Sequence, residues 1–152
     1  MSDGMFTVRD AAPSDGTAWS RMWAAYCAHY RTTMPEADVR ELWSRILNPQ
    51  SPIHALVCCS PNREDLVGFA HYVLGPHTFS SRLVCYLEDL WVDPAGRRAG
   101  IGRQLIDSLI QRGRDSGWRR VYWHTEADNE ARRLYDRVAA LTSYVRYDVA
   151  LP

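Results

Sequence analysis

The stretch Leu87-Glu88-Asp89-Leu90-Trp91-Val92-Asp93-Pro94-Ala95-Gly96-Arg97-Arg98-Ala99-Gly100-Ile101-Gly102-Arg103-Gln104-Leu105-Ile106 reads as a strand bearing two acids, then a basic glycine turn, then a helix. A helix start offers backbone N–H groups that have no intrahelical partner, together with the positive end of a dipole, so an anion can be held there largely by main chain. Gly100 and Gly102 remove side chains where a phosphate would press against the turn, and Arg97, Arg98 and Arg103 add permanent positive charge. The turn is suited to a phosphorylated cofactor.

Two familiar phosphate loops do not fit. A nucleotide P-loop, G-x-x-x-x-G-K-S/T, needs a lysine, and all 18 basic residues of this chain are arginine. A dinucleotide fingerprint, G-x-G-x-x-G, needs a third glycine where Leu105 stands.

The spacing that does fit is R-x-x-G-x-G, spelled Arg97-Arg98-Ala99-Gly100-Ile101-Gly102, which resembles the acetyl-CoA loop of the GNAT N-acetyltransferases. A second segment, Asp128-Asn129-Glu130-Ala131-Arg132-Arg133-Leu134-Tyr135, resembles the N-x-x-A-x-x-L-Y helix of the same family at the expected distance downstream. Tyr86-Leu87-Glu88-Asp89-Leu90 is similar to diamine acetyltransferases, and Val121-Tyr122-Trp123-His124-Thr125 to the Hpa-type histone and polyamine acetyltransferases. The resemblance covers nearly the whole chain. After Tyr135, only residues 141–151 remain for strand, which is short for the family's final hairpin and leaves a sheet edge to be protected.

Length and composition narrow the reading further. With 152 residues and 46% apolar content, one complete core and a single domain over 1–152 are expected. Zero formal net charge gives no electrostatic basis for nucleic-acid binding. No apolar run approaches the ~20 residues needed to span a bilayer. Met1-Ser2-Asp3-Gly4 lacks a basic region followed by an apolar stretch, so no membrane association and a cytoplasmic location are expected. Cys27, Cys58, Cys59 and Cys85 lack zinc-type spacing and read as buried free thiols; no metal site is expected.

Along the chain, residues 8–11 read as a strand, and Ser14 as the N-cap of a helix in which Trp19, Met22, Trp23, Tyr26 and Tyr30 recur at helical spacing, mostly as core. Pro35 opens a second helix that Asn48-Pro49 ends. Strands at 54–59, 66–74 and 83–92 form a meander, followed by a helix at 99–115, a strand at 119–125, a helix at about 129–138 and a last strand at 143–150. The fold class is α/β (α+β): a GNAT-like mixed, mostly antiparallel sheet flanked by helices in the order β-α-α-β-β-β-α-β-α-β.

The resemblance implies direct acetyl transfer from acetyl-CoA to a primary amine on a polyamine, a small amino compound or a protein or histone lysine. A free alkyl ammonium has a pKa of ~10.4, so the neutral form needed for attack is disfavoured at pH 7 by ~4.6 kcal/mol. Glu88 is the first choice as proton acceptor, acting directly or through water. Asp89 is the second choice and a candidate amine anchor. Since strand side chains alternate, the two acids share one cleft only if the strand bulges. Tyr135 matches the family's general acid and is read mainly as a hydrogen-bond donor to the departing sulfur, because its ordinary pKa of ~10 exceeds the ~8.5 of a thiol. By resemblance the cofactor is held by Leu90, Trp91, Val92, the loop residues Arg97, Arg98, Ala99, Gly100, Ile101, Gly102 and Arg103, and by Asn129 and Tyr135. The acceptor pocket is assigned to Tyr26, His29, Tyr30, Glu88 and Asp89; His124 is read as structural. A noncatalytic acyl-CoA sensor is the alternative, and a homodimer through the C-terminal strand is expected.

Overall fold

The computed structural model describes residues 5–62 and 65–152, so the start Met1-Ser2-Asp3-Gly4 read above lies outside the described residues. The elements run β1 (Thr7–Asp10), α1 (Gly16–His29), α2 (Glu36–Leu47), β2 (Ile53–Cys59), β3 (Leu66–His77), β4 (Ser80–Val92), α3 (Ile101–Ser116), β5 (Arg120–Tyr122) and α4 (Arg132–Val138). Among the described residues the sheet has five strands in the order β1-β2-β3-β4-β5, antiparallel except for the parallel β4–β5 pair. Meander and helices stand in the expected order.

Each face of the sheet carries its own apolar layer. On one side, Trp19, Met22 and Trp23 of α1 pack on Val57, Phe69 and Trp91. On the other, Ile101, Leu105, Ile106 and Leu109 of α3 pack on Leu56, Ala70 and Leu87. The spacing of these α3 residues keeps them on one stripe, and full burial of such side chains contributes about 1.5–3 kcal/mol each. Gly117, with φ +75°, ends α3 in the left-handed conformation that closes many helices.

Four details differ from the sequence reading. Ser14 lies inside a 3₁₀ turn, Pro13–Asp15, and the buried Asp15 anchors the helix entry instead, accepting the Ala12 N–H (2.7 Å) and pairing with Arg9 (2.7 Å). Tyr30, the residue that caps α1 after its end at His29, is 51% exposed rather than core. Strand β5 is only three residues long. Residues 143–150 form no strand: the chain from 139 to 152 is exposed and makes no ladder with the sheet, since β5 is too short an edge to recruit it.

All four cysteines are free and buried, with the Cys85 thiol pushed up to about 12 and the Cys58 thiol to about 11 by burial. No described helix is long and apolar enough to cross a membrane.

Candidate active site

Strand β4 holds the key to the site. Its register against β3 runs His71↔Asp89 and then Tyr72↔Leu87, so Glu88 is an extra residue with no partner of its own. The side-chain layers agree: Leu87 and Leu90 both face α3, whereas Trp91 faces α1. Alternation across a regular strand would forbid that pattern. The bulge turns Asp89 to the α1 side, where Glu88 already lies, and satisfies the condition for both acids to meet in one cleft.

Their surroundings are unequal. The Asp89 side chain is 16% exposed and accepts a bond from His71 Nδ1 at 3.0 Å. Glu88 reaches solvent, yet partial burial pushes its carboxyl above the usual value, and the charge of Asp89 adds to the push. Tyr26 on α1 is also raised, first by burial and then by the Asp89 charge.

Beside the acids the sheet opens. Strands β4 and β5 pair only from Val84↔Arg120 to Tyr86↔Tyr122, after which β5 ends while β4 continues to Val92. The backbone of Leu90, Trp91 and Val92 therefore has no neighbour on that edge. Tyr135 on α4 packs behind the opening, its ring 5.4 Å from Trp123. Burial raises its phenol, and Tyr30 adds a smaller push. A phenol raised in this way stays protonated at neutral pH and can donate.

At the end of β4 the turn Pro94–Gly96 leads into the basic loop. Arg98 and Gly100 both adopt positive φ, +69° and +75°. Glycine takes this conformation freely, while Arg98 bears strain of about 1–3 kcal/mol. Gln104 is the first residue of α3 whose N–H reaches back to a carbonyl, that of Gly100 at 3.0 Å. The N–H groups of Ile101, Gly102 and Arg103 ahead of it are thus available to an anion. A Cβ at Gly100 would meet nothing within 4 Å, which leaves the approach to the helix end clear. The residues present fit a diphosphate.

The three arginines divide. Arg103 turns along its helix to Asp107 (3.1 Å), and Arg97 folds over the Trp91 ring (5.3 Å), its Nε donating to the Val92 carbonyl (3.3 Å). Arg98 is exposed and has no ion pair among the described residues. Asn129 precedes α4 rather than starting it, accepting the Ala131 N–H (2.9 Å) and donating to Thr125 Oγ1 (2.8 Å). His124 is exposed, 3.3 Å from the Tyr86 hydroxyl. Tyr26, His29 and Tyr30 form an aromatic wall: Tyr26–Tyr30 at 4.7 Å, Tyr26–Trp91 at 6.2 Å and His29–Trp91 at 5.9 Å.

Three contributors escaped the sequence reading. His71 supports Asp89, Trp19 supports His71, and Asp93 ties the loop root by accepting the Trp91 indole N–H (2.9 Å) and pairing with Arg21 (3.0 Å). The Trp91-Val92-Asp93 spacing was a visible signal for the last, since residues two apart share a strand face.

This geometry can be set beside known proteins. The model of the Acetyltransferase (GNAT) family matches residues 19–139, which take in the acid pair, the loop and α4. The chain belongs to the GNAT family. As a GNAT protein it is an N-acetyltransferase, and enzymes of this family use acetyl-CoA. It is 30% identical to the D-amino-acid N-acetyltransferase HPA3 of Saccharomyces cerevisiae over 97% of this chain and 92% of that one. It is 28% identical to aminoglycoside N(6')-acetyltransferase type 1 of Stenotrophomonas maltophilia over 76% of this chain and 72% of that one. The GNAT fold is shared with the crystal structure of an aminoglycoside acetyltransferase, meta-AAC0020, from an uncultured soil metagenomic sample (TM-score 0.82, 21% identity, all of both chains covered). It is shared too with AAC(6')-Iy in complex with a CoA bisubstrate analogue (TM-score 0.81, 17% identity, 97% and 99% covered).

Proposed function

We propose that this GNAT domain, read as one unit over 1–152, transfers the acetyl group of acetyl-CoA to the primary amine of a small cationic compound. The observation that supports it most is the bulge at Glu88, which sets two carboxylates on one face beside the opening between β4 and β5. Two negative charges near an aromatic wall favour an ammonium group over a neutral or anionic guest.

Bound acetyl-CoA supplies the thioester carbon that the free amine attacks, with the C–N bond forming as the C–S bond breaks. The Ile101, Gly102 and Arg103 N–H groups and the Arg98 guanidinium hold the diphosphate, with Arg97, Ala99, Gly100 and Asn129 shaping the rim. The open edge at Leu90, Trp91 and Val92 takes the pantetheine arm. Glu88 accepts the amine proton, Asp89 anchors the ammonium, and Tyr26, His29 and Tyr30 border the acceptor. Tyr135 donates a hydrogen bond to the departing sulfur. Tyr135→Phe is accordingly expected to lower kcat about 10-fold or more while acetyl-CoA affinity stays within about twofold. Equal turnover in the two proteins would remove Tyr135 from the reaction.

The acceptor is read as a small amine, as in the named relatives, with a polyamine, an amino acid or an aminoglycoside ahead of a protein or histone lysine. Release of coenzyme A thiol, measured against polyamines, D-amino acids, aminoglycosides and histone peptides with mass detection of the product, tests this. Amine-dependent release with a small-molecule product supports the reading. Turnover confined to histone peptides overturns the acceptor class, and coenzyme A binding with no turnover on any amine favours a sensor.

We also read the protein as a cytoplasmic homodimer. Buried free thiols suit a reducing compartment. The exposed Val145, Tyr147 and Val149 (77–91% exposed) carry the alternation of a strand that lacks a neighbour. Light scattering at micromolar concentration should give twice the chain mass, and deletion of residues 141–152 should give the monomer; a monomeric full-length chain rejects the dimer.

A further inference from the structure

His71 is 2% exposed and sits in the apolar layer beneath the acid pair, stacked on Phe69 at 4.4 Å and flanked by Trp23 at 5.0 Å. Both ring nitrogens are engaged. Nε2 lies 2.9 Å from Trp19 Nε1, and Nδ1 lies 3.0 Å from Asp89 Oδ2. An indole N–H can only donate, so Nε2 must be the acceptor and carry no proton. The proton of the neutral ring is thereby placed on Nδ1, aimed at Asp89. A second proton, on Nε2, would set two N–H groups against each other in a buried site.

We propose that Trp19 and His71 are positioning residues for acetyl transfer: the indole fixes the imidazole tautomer, and the imidazole N–H fixes the Asp89 carboxylate toward the acceptor ammonium. The chain of bonds starts in α1, crosses the core to β3 and ends on the bulged part of β4. In this tautomer the imidazole donates a hydrogen bond to the Asp89 carboxylate without bringing a counter-charge. An imidazolium in the same place would neutralise the anchor and weaken its hold on a cation. A carboxylate free to turn would bind the amine in many poses, few of them near the thioester.

The inference rests on the reading of Asp89 as the amine anchor, and the test separates the two. Nitrogen-15 NMR of the wild-type protein at pH 7 should show His71 with Nδ1 protonated and Nε2 bare. Either the opposite tautomer or an imidazolium overturns the proposal. With the best amine of the panel above, His71→Leu should raise the KM for amine about 10-fold or more, with the KM for acetyl-CoA unchanged and kcat within about threefold. His71→Asn, whose amide N–H can replace Nδ1–H, should recover most of the loss. Equal amine KM in His71→Leu and wild type overturns the inference, as does a lack of recovery in a folded Asn variant. Should the Leu variant fail to fold, the NMR assignment and the Asn variant decide. Asp89→Asn is the control: a raised amine KM there with none in His71→Leu sinks only the positioning role, whereas no effect of Asp89→Asn sinks the anchor reading itself.

Discussion

Replacing Glu88 by glutamine is expected to lower kcat/KM for the amine by about 10²- to 10⁴-fold, the usual weight of a lost general base. Coenzyme A affinity should stay as it is. Glutamine keeps the size and polarity of the bulged side chain but cannot take a proton at neutral pH. The pH profile makes the test specific. A base works in its ionised form, and the Glu88 carboxyl is pushed above the ordinary range by burial and by Asp89. Activity of the wild type should therefore rise as pH climbs through that raised value, and the Glu88→Gln variant should lack this rise while keeping the one due to ionisation of the amine. A variant with wild-type kcat/KM and the same acid limb would show that Glu88 takes no proton.

Leu105→Ala is expected to cost about 2–5 kcal/mol of stability, a large share of the roughly 5–15 kcal/mol typical of a folded domain. Leu105 is fully buried one turn into α3. Its reach into the sheet depends on a missing side chain, since a Cβ on Gly68 would lie 3.4 Å from Leu105 Cδ1 and 2.7 Å from the Trp91 carbonyl. Truncation leaves a void that this rigid setting closes poorly. Urea denaturation should show a lower midpoint at unchanged slope. A shift worth less than about 1 kcal/mol would mean that α3 settles into the space, contrary to the packing described.

The meander and α3 were legible because their apolar periodicity is long and unbroken, and the loop because glycine and arginine spacing has a direct backbone meaning. The acid pair was half legible. Leu87 and Leu90, both apolar and three apart with two acids between them, are the trace of a bulge, but only the register against β3 shows which residue is extra. His71 was hidden for the same reason, since its partner lies across a ladder whose offset no local pattern encodes. The segment at 143–150 has strand alternation in full and still forms no strand, because pairing requires an edge and β5 offers only three residues. Tyr30 continues a helical stripe that the core beneath does not follow.

The early end of β5 has a consequence for how occupancy of the site can be seen. From Leu87 to Val92 the outer edge of β4 lacks the neighbour that shields Val84 to Tyr86. Its outward amides should exchange with water faster than those turned to β3, which the longer ladder protects. A guest lying along that edge would take the place of the absent strand. Slowed exchange at the outward amides of this short stretch would then report its arrival, with no label on either the protein or the cofactor.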